Sequence, residues 1–133
     1  LKVVESCASH DNCVVCSTKI SDGLKLTFHC QNDGSVFTSF TPQGNTEGYS
    51  GQMHGGLIAT ILDSAMVHVL FSQGIEAVTA DLHVRYMHPI RIGESLKVSA
   101  KLIEAKKKLY LIQGEVHVGE RCVARSEGKF LPK

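Results

Sequence analysis

The segment from about Gly55 to Phe71 constrains the fold more than any other stretch of the chain. Leu57, Ile58, Ile61, Leu62, Ala65, Met66, Val69 and Leu70 recur at three- and four-residue spacing, the period of an α-helix. Their side chains wrap more than half of the helix surface. A single helix cannot bury so wide a face on itself, so the remainder must form a sheet around it. A chain of 133 residues with 43% hydrophobic and 20% charged side chains fits one domain with a substantial core. One domain over 1–133 is expected, with 1–22 a polar, cysteine-bearing N-terminal cap and 55–71 the central helix.

The flanking segments carry the two-residue period of strands. Leu24, Leu26 and Phe28 alternate with polar neighbours and predict a strand from Gly23 to Cys30. Asn32-Asp33-Gly34 is hairpin chemistry, and a second strand runs from Ser35 to Thr41, where Pro42 stops it. Residues 43–51 form a loop. After the helix, Val78, Ala80, Leu82, Val84 and Tyr86 alternate with Thr79, Asp81, His83 and Arg85. Further strands follow from Leu96 to Leu102, from Leu109 to Val118, and from Cys122 through Phe130, with Lys106 to Lys108 at one turn. The expected architecture is α+β: about six antiparallel strands, the last four in a meander, curled around one long helix.

Composition narrows the function. A formal net charge of +1 argues against a nucleic-acid binder that lives on phosphate contacts. No apolar stretch is long enough to span a bilayer, and no membrane partner is expected. Five cysteines, an odd number without an export signal, suit reduced thiols in the cytoplasm. Cys13-x-x-Cys16, with Cys7, His10, His29 and Cys30 nearby, has ligand types that suit zinc, but the spacings are not those of a standard zinc knuckle. No metal is expected.

The chemistry concentrates in Gly51 to Asp63. His54-Gly55-Gly56 leads directly into the helix, where backbone N–H groups have no intrahelical acceptor and the helix dipole favours negative charge. Without side chains, the glycines let a ligand approach those donors, which makes an oxyanion site for a polarised carbonyl. Asp63, among apolar neighbours, is the candidate base or nucleophile. It lies eight residues past Gly55, roughly 12 Å along the axis at 1.5 Å per residue. One chain cannot easily bring both to one carbonyl carbon. A twofold dimer with antiparallel central helices can, which predicts a composite site. Ser64 and His68 share one helix face and fit pocket lining better than a serine nucleophile with its base.

These segments resemble the acyl-CoA thioesterases of the hotdog superfamily, in particular the phenylacetate-pathway type related to 4-hydroxybenzoyl-CoA thioesterase. The resemblance rests on His54-Gly55-Gly56 with Asp63, on Ala77 to Tyr86, on His88 to Glu94, and upstream on Cys13 to Cys16 and Gly23 to Leu26. It implies a hotdog fold and hydrolysis of an acyl-CoA thioester by a homodimer, with a dimer of dimers also open. It implies no cofactor, coenzyme A being part of the substrate. Gly55 then donates its N–H to the thioester carbonyl, His54 shapes the turn, Asp63 is base or nucleophile, and Thr79 positions the water. Gly56, Gln52 and Ser64 are expected near substrate, and Arg85, His88 and Arg91 near coenzyme A phosphates. Family members often carry an amide side chain a few residues before the His; here Gly48, Tyr49 and Ser50 stand there, with Gln52 the nearest amide. The alternatives are a hotdog enoyl-thioester hydratase and a non-catalytic acyl-CoA-binding module.

Overall fold

The computed structural model describes residues 2–19 and 23–133, leaving part of the expected cap, residues 1 and 20–22, outside the description. The helix α1 spans Gly55–Phe71, the range its periodicity predicts. Ile61, Leu62, Met66 and Leu70 are almost completely buried on it, together with Val69 and Ala65. Each such large side chain removed from water contributes about 1.5–3 kcal/mol. Past the last turn, Gly74 takes a left-handed φ of 74°, and Gly74 and Ile75 donate back to the carbonyls of Phe71 and Leu70. That satisfies carbonyls the helix leaves open.

Around α1 curls the expected antiparallel sheet, with seven strands among the described residues where about six were expected. In chain order they are β1 (Lys2–Val3), β2 (His29–Cys30), β3 (Val36–Phe40), β4 (Ala77–Tyr86), β5 (Leu96–Lys106), β6 (Leu109–Val118) and β7 (Arg121–Pro132). The spatial order is β1-β2-β3-β5-β6-β7-β4. The expected four-strand meander is thus only a three-strand one, β5-β6-β7. The strand that follows the helix, β4, lies beyond β7 and forms the sheet's edge. Val36, Val98, Ile112 and Phe130 turn inward and are buried beneath the helix.

The expected strand from Gly23 to Cys30 is a second correction, because only His29 and Cys30 join the ladder. Lys25 has a φ of 54°, which breaks an extended run, and Leu24 and Leu26 donate instead to the carbonyls of Val14 and Val15. The apolar alternation still does its packing work, since Leu26 and Phe28 are buried. The N-terminal cap is thereby stitched to the domain: β1 pairs β2, and Val4 and Val15 enter the core.

Candidate active site

At the start of α1, His54 is the N-cap, with extended backbone, and its Nδ1 accepts from Gly56 N–H at 2.9 Å. A Cβ at Gly56 would lie 2.9 Å from His54 Cε1, and one at Gly48 would lie 3.1 Å from His54 Cα. Both positions are therefore small because the capping histidine fits between them. The Gly56 amide, expected near substrate, is already taken by the cap. The N–H of Gly55 has no acceptor among the described residues, so it is the donor the helix start still offers.

Tyr86, at the end of β4, donates its hydroxyl to the Gly55 carbonyl at 2.7 Å, and partial burial raises its pKa above the usual phenol range. With Gly48, Tyr49, Met53, His54, Gly55 and Gly56 it lines an open cavity of about 540 Å³. Tyr49, 86% exposed, stands free at its edge. Sequence reasoning missed Met53 and Tyr49 as cavity walls; their place just ahead of the helix was the available signal.

The second group lies two turns along the helix. Thr79 of β4 donates its hydroxyl to Asp63 Oδ1 at 2.6 Å, and the carboxylate is half-buried. Neither residue lines the cavity at Gly55. Within one chain the two parts of the expected site are therefore separate.

The remaining expected residues scatter. Ser64 is buried, its hydroxyl has no hydrogen-bond partner among the described residues, and it is not part of the cavity wall at Gly55. Gln52 is exposed and absent from the cavity wall, and its backbone bridges to Arg91. Arg91 is thereby held beside the loop that precedes α1, where the Gly51 carbonyl also accepts from Ile92. His88 meets the Arg121 guanidinium at 2.6 Å. Arg85 lies on the outer face of the sheet. Its neighbours Val84 and Tyr86 face the helix, and it lines a second, outer concavity of about 660 Å³ with Asp81, His83, Met87 and Ile103. It stands apart from the Gly55 cavity.

His10, Cys13 and Cys16 offer the one grouping of candidate metal ligands among the described residues. It lies in the N-terminal cap, away from the Gly55 cavity and Asp63.

A curled sheet around a single helix, with polar groups gathered where the helix begins, defines the hotdog architecture. The sequence pattern of the thioesterase superfamily matches residues 50–124, more than half of the chain, and the chain belongs to that superfamily. Its relatives include the Homo sapiens acyl-coenzyme A thioesterase 13, 29% identical over 87 residues. That match spans 64% of this chain and 62% of the human protein, short of two thirds of its length. Among solved structures, the E. coli PaaI protein from the phenylacetic acid degradation operon superposes with a TM-score of 0.76. It is 21% identical, over 83% of this chain and 80% of its own. A hypothetical thioesterase protein from Streptococcus pneumoniae, solved with coenzyme A, gives a TM-score of 0.75 at 19% identity, over 80% and 86%. At those identities both show the shared fold.

Proposed function

We propose that this protein hydrolyses acyl-CoA thioesters to the free acid and coenzyme A, as a homodimer with a site shared between subunits. The observation that carries the reading is the unpaired Gly55 N–H at a helix start, opening into a cavity that a thioester can enter. A carbonyl oxygen placed there meets a donor whose strength counts most as negative charge develops. Asp63 supplies the other half of the reaction. As general base it takes a proton from water, or as nucleophile it forms an anhydride that water then opens. Thr79 holds the carboxylate in place from β4 and stands where it can orient that water.

Two observations support the shared site. First, β4 is a ten-residue edge strand exposed along most of its length, with Val78 49%, Leu82 36% and Tyr86 50% exposed. A long apolar edge left open invites pairing with another strand. Second, antiparallel pairing of β4 with its own copy about an axis through His83, with the bulged Ala80 passed over, sets Thr79 opposite the partner's Tyr86 on the face toward the helices. Tyr86 marks Gly55 and Thr79 marks Asp63. Each Gly55 cavity then receives an Asp63 from the other subunit. The outer face around Met87, Ile103 and Leu111 remains open for a dimer of dimers.

Arg91 is the cation best placed for coenzyme A phosphates, with His88 and the Arg121 guanidinium it accepts from nearby, between the end of β4 and the loop before α1. Among the described residues no helix is long and apolar enough to cross a membrane. The five free thiols suit a reducing compartment, and we place the protein in the cytoplasm. The direct test is a panel of short, long and aromatic acyl-CoA esters assayed for released thiol. Turnover of at least one class is expected. Tight binding without turnover across the whole panel favours the non-catalytic binding module instead.

A further inference from the structure

Four residues of the N-terminal cap recur at a fixed interval of three: Cys7, His10, Cys13 and Cys16. The backbone follows the same interval from Cys7 to Cys13, after which the Cys13 carbonyl accepts from Ser17, four residues on. His10 N–H donates to the Cys7 carbonyl and Cys13 N–H to the His10 carbonyl, each at 2.9 Å and each three residues back. Ala8–His10 is a turn of 3₁₀ helix. In that geometry side chains at i and i+3 eclipse, so a period of three stacks its residues on one face. The structure accordingly gathers the ligating atoms of His10, Cys13 and Cys16 within 4.8 Å of one another, all three half-buried. His10 Nδ1 stands 3.6 Å from Cys16 Sγ. A tetrahedral zinc ion, bonded at about 2.3 Å to sulfur and 2.0–2.1 Å to nitrogen, holds those two atoms roughly 3.6 Å apart.

We infer that His10, Cys13 and Cys16 form a structural zinc site in the N-terminal cap, with Cys7 as the fourth ligand. Cys7 continues the stacked face by one step; its thiol hydrogen-bonds Ser9 Oγ at 3.1 Å, and its half-buried side chain packs against the edge of the core. To complete the set Cys7 changes rotamer and gives up its hydrogen bond to Ser9. Three thiolates and one imidazole make a closed tetrahedral set of the kind found in structural sites, and each thiol releases its proton to solvent as the metal–sulfur bond forms. The site fastens the cap to the domain. His10 packs edge-on against Phe71 with ring centroids 4.8 Å apart, and Phe71 closes the last turn of α1. This departs from the sequence expectation of no metal, which rested on linear spacing read against zinc knuckles and not on the 3₁₀ stacking.

The test uses the full chain, purified reduced and stripped of metal, then titrated with Co(II) and with Zn(II). One Co(II) per chain is expected, with tetrahedral d–d bands and thiolate-to-cobalt charge transfer that Zn(II) abolishes by displacement. Cys7→Ser is expected to keep the metal but lose about a third of the charge-transfer intensity, as three thiolates become two. Cys13→Ser with Cys16→Ser abolishes binding, and Cys30→Ser with Cys122→Ser leaves it intact. Where the first double variant fails to fold, His10→Gln serves instead and weakens Zn(II) binding at least tenfold. Zn(II) also raises the Tm of the parent chain and not that of the cysteine double variant or His10→Gln. Absence of stoichiometric cobalt at micromolar free metal overturns the site, as does a spectrum unchanged by the Cys13 and Cys16 substitutions. A Cys7→Ser spectrum of full intensity overturns the fourth ligand.

Discussion

Thr79 Oγ1 and Asp63 Oδ1 are joined by a 2.6 Å hydrogen bond that a regular strand would not allow. Seven residues separate Thr79 from Tyr86 on β4, so strict alternation puts them on opposite faces. Both nevertheless reach α1, Thr79 at Asp63 and Tyr86 at Gly55. The register shift between Thr79 and Asp81, where Ala80 is the extra residue, reverses the alternation and turns the hydroxyl inward. Bulges re-aim side chains in this way beside functional sites.

Replacing Asp63 with Asn keeps the shape and removes the base or nucleophile. Turnover of a good acyl-CoA substrate is expected to fall by about 10²–10⁴, the usual worth of a positioned acid–base group, while KM changes little. Thr79→Val removes only the partner hydrogen bond and lowers kcat by roughly tenfold. Steady-state kinetics on the two variants check this; an Asp63→Asn protein with unchanged kcat contradicts the role assigned to the carboxylate.

The two glycines at the helix start should respond oppositely to an added methyl. At Gly55 a Cβ meets the Tyr86 ring at an ordinary 3.6 Å, so Gly55→Ala is expected to hold its Tm while kcat/KM falls as the cavity wall thickens. At Gly56 the Cβ meets His54 Cε1 at 2.9 Å and displaces the capping imidazole, at about 1 kcal/mol of stability. His54→Ala should cost about the same. Urea denaturation paired with activity assays distinguishes the two patterns.

A lysine on the open edge should break the subunit contact. Leu82→Lys places a charge near the middle of the β4 pairing, where the sheet faces α1 and the side chain is already 36% exposed. Light scattering coupled to gel filtration is expected to show the parent as a dimer or larger and the variant shifted to monomer. Activity should fall with the dimer fraction.

His68 gives the fold a pH dependence of definite sign. Burial lowers its pKa to about 4 from the model-peptide value of 6.5, with the nearby His10 adding to the drop and the hydrogen bond to the Ser64 carbonyl opposing it. Its ring stacks on Phe28 at 4.0 Å. The unfolded chain takes up this proton below pH 6.5, while the folded chain resists until about pH 4. Stability tied to neutral His68 is therefore full above pH 6.5 and is lost as the pH falls toward 4, by about 3 kcal/mol over that window. Denaturation of the parent and of His68→Phe at pH 7 and pH 4.5 reads the difference, and the variant should lose less.

What the sequence discloses and what it hides divide along physical lines. The bounds of α1 follow from a period of 3.6 sustained over many residues, and those of β4 and β6 from clean alternation between turns. Gly34 takes the left-handed φ its hairpin motif predicts. The place of β4 at the sheet edge was hidden, because alternation tells which face a residue takes and not which strand lies beside it. Lys25 shows the limit from another side, with an alternating run that packs like a strand while its backbone turns away. At the site, His54, Gly55 and Asp63 stand out by type and spacing. The loss of the Gly56 amide to the cap depends on the His54 rotamer, and the inward turn of Thr79 on the Ala80 bulge, neither of which has a local signature.

The shared site can be tested by complementation between two disabled proteins. Asp63→Asn removes the acidic half, and Gly55→Leu fills the cavity of the other half. Each homodimer should be inactive. Unfolded and refolded together, half of the dimers pair one chain of each kind, and each of those regains one intact site of two. The account predicts recovery of about a quarter of the parent activity. Mixed dimers that form in full and stay inactive would place both halves of the chemistry within one chain and contradict it.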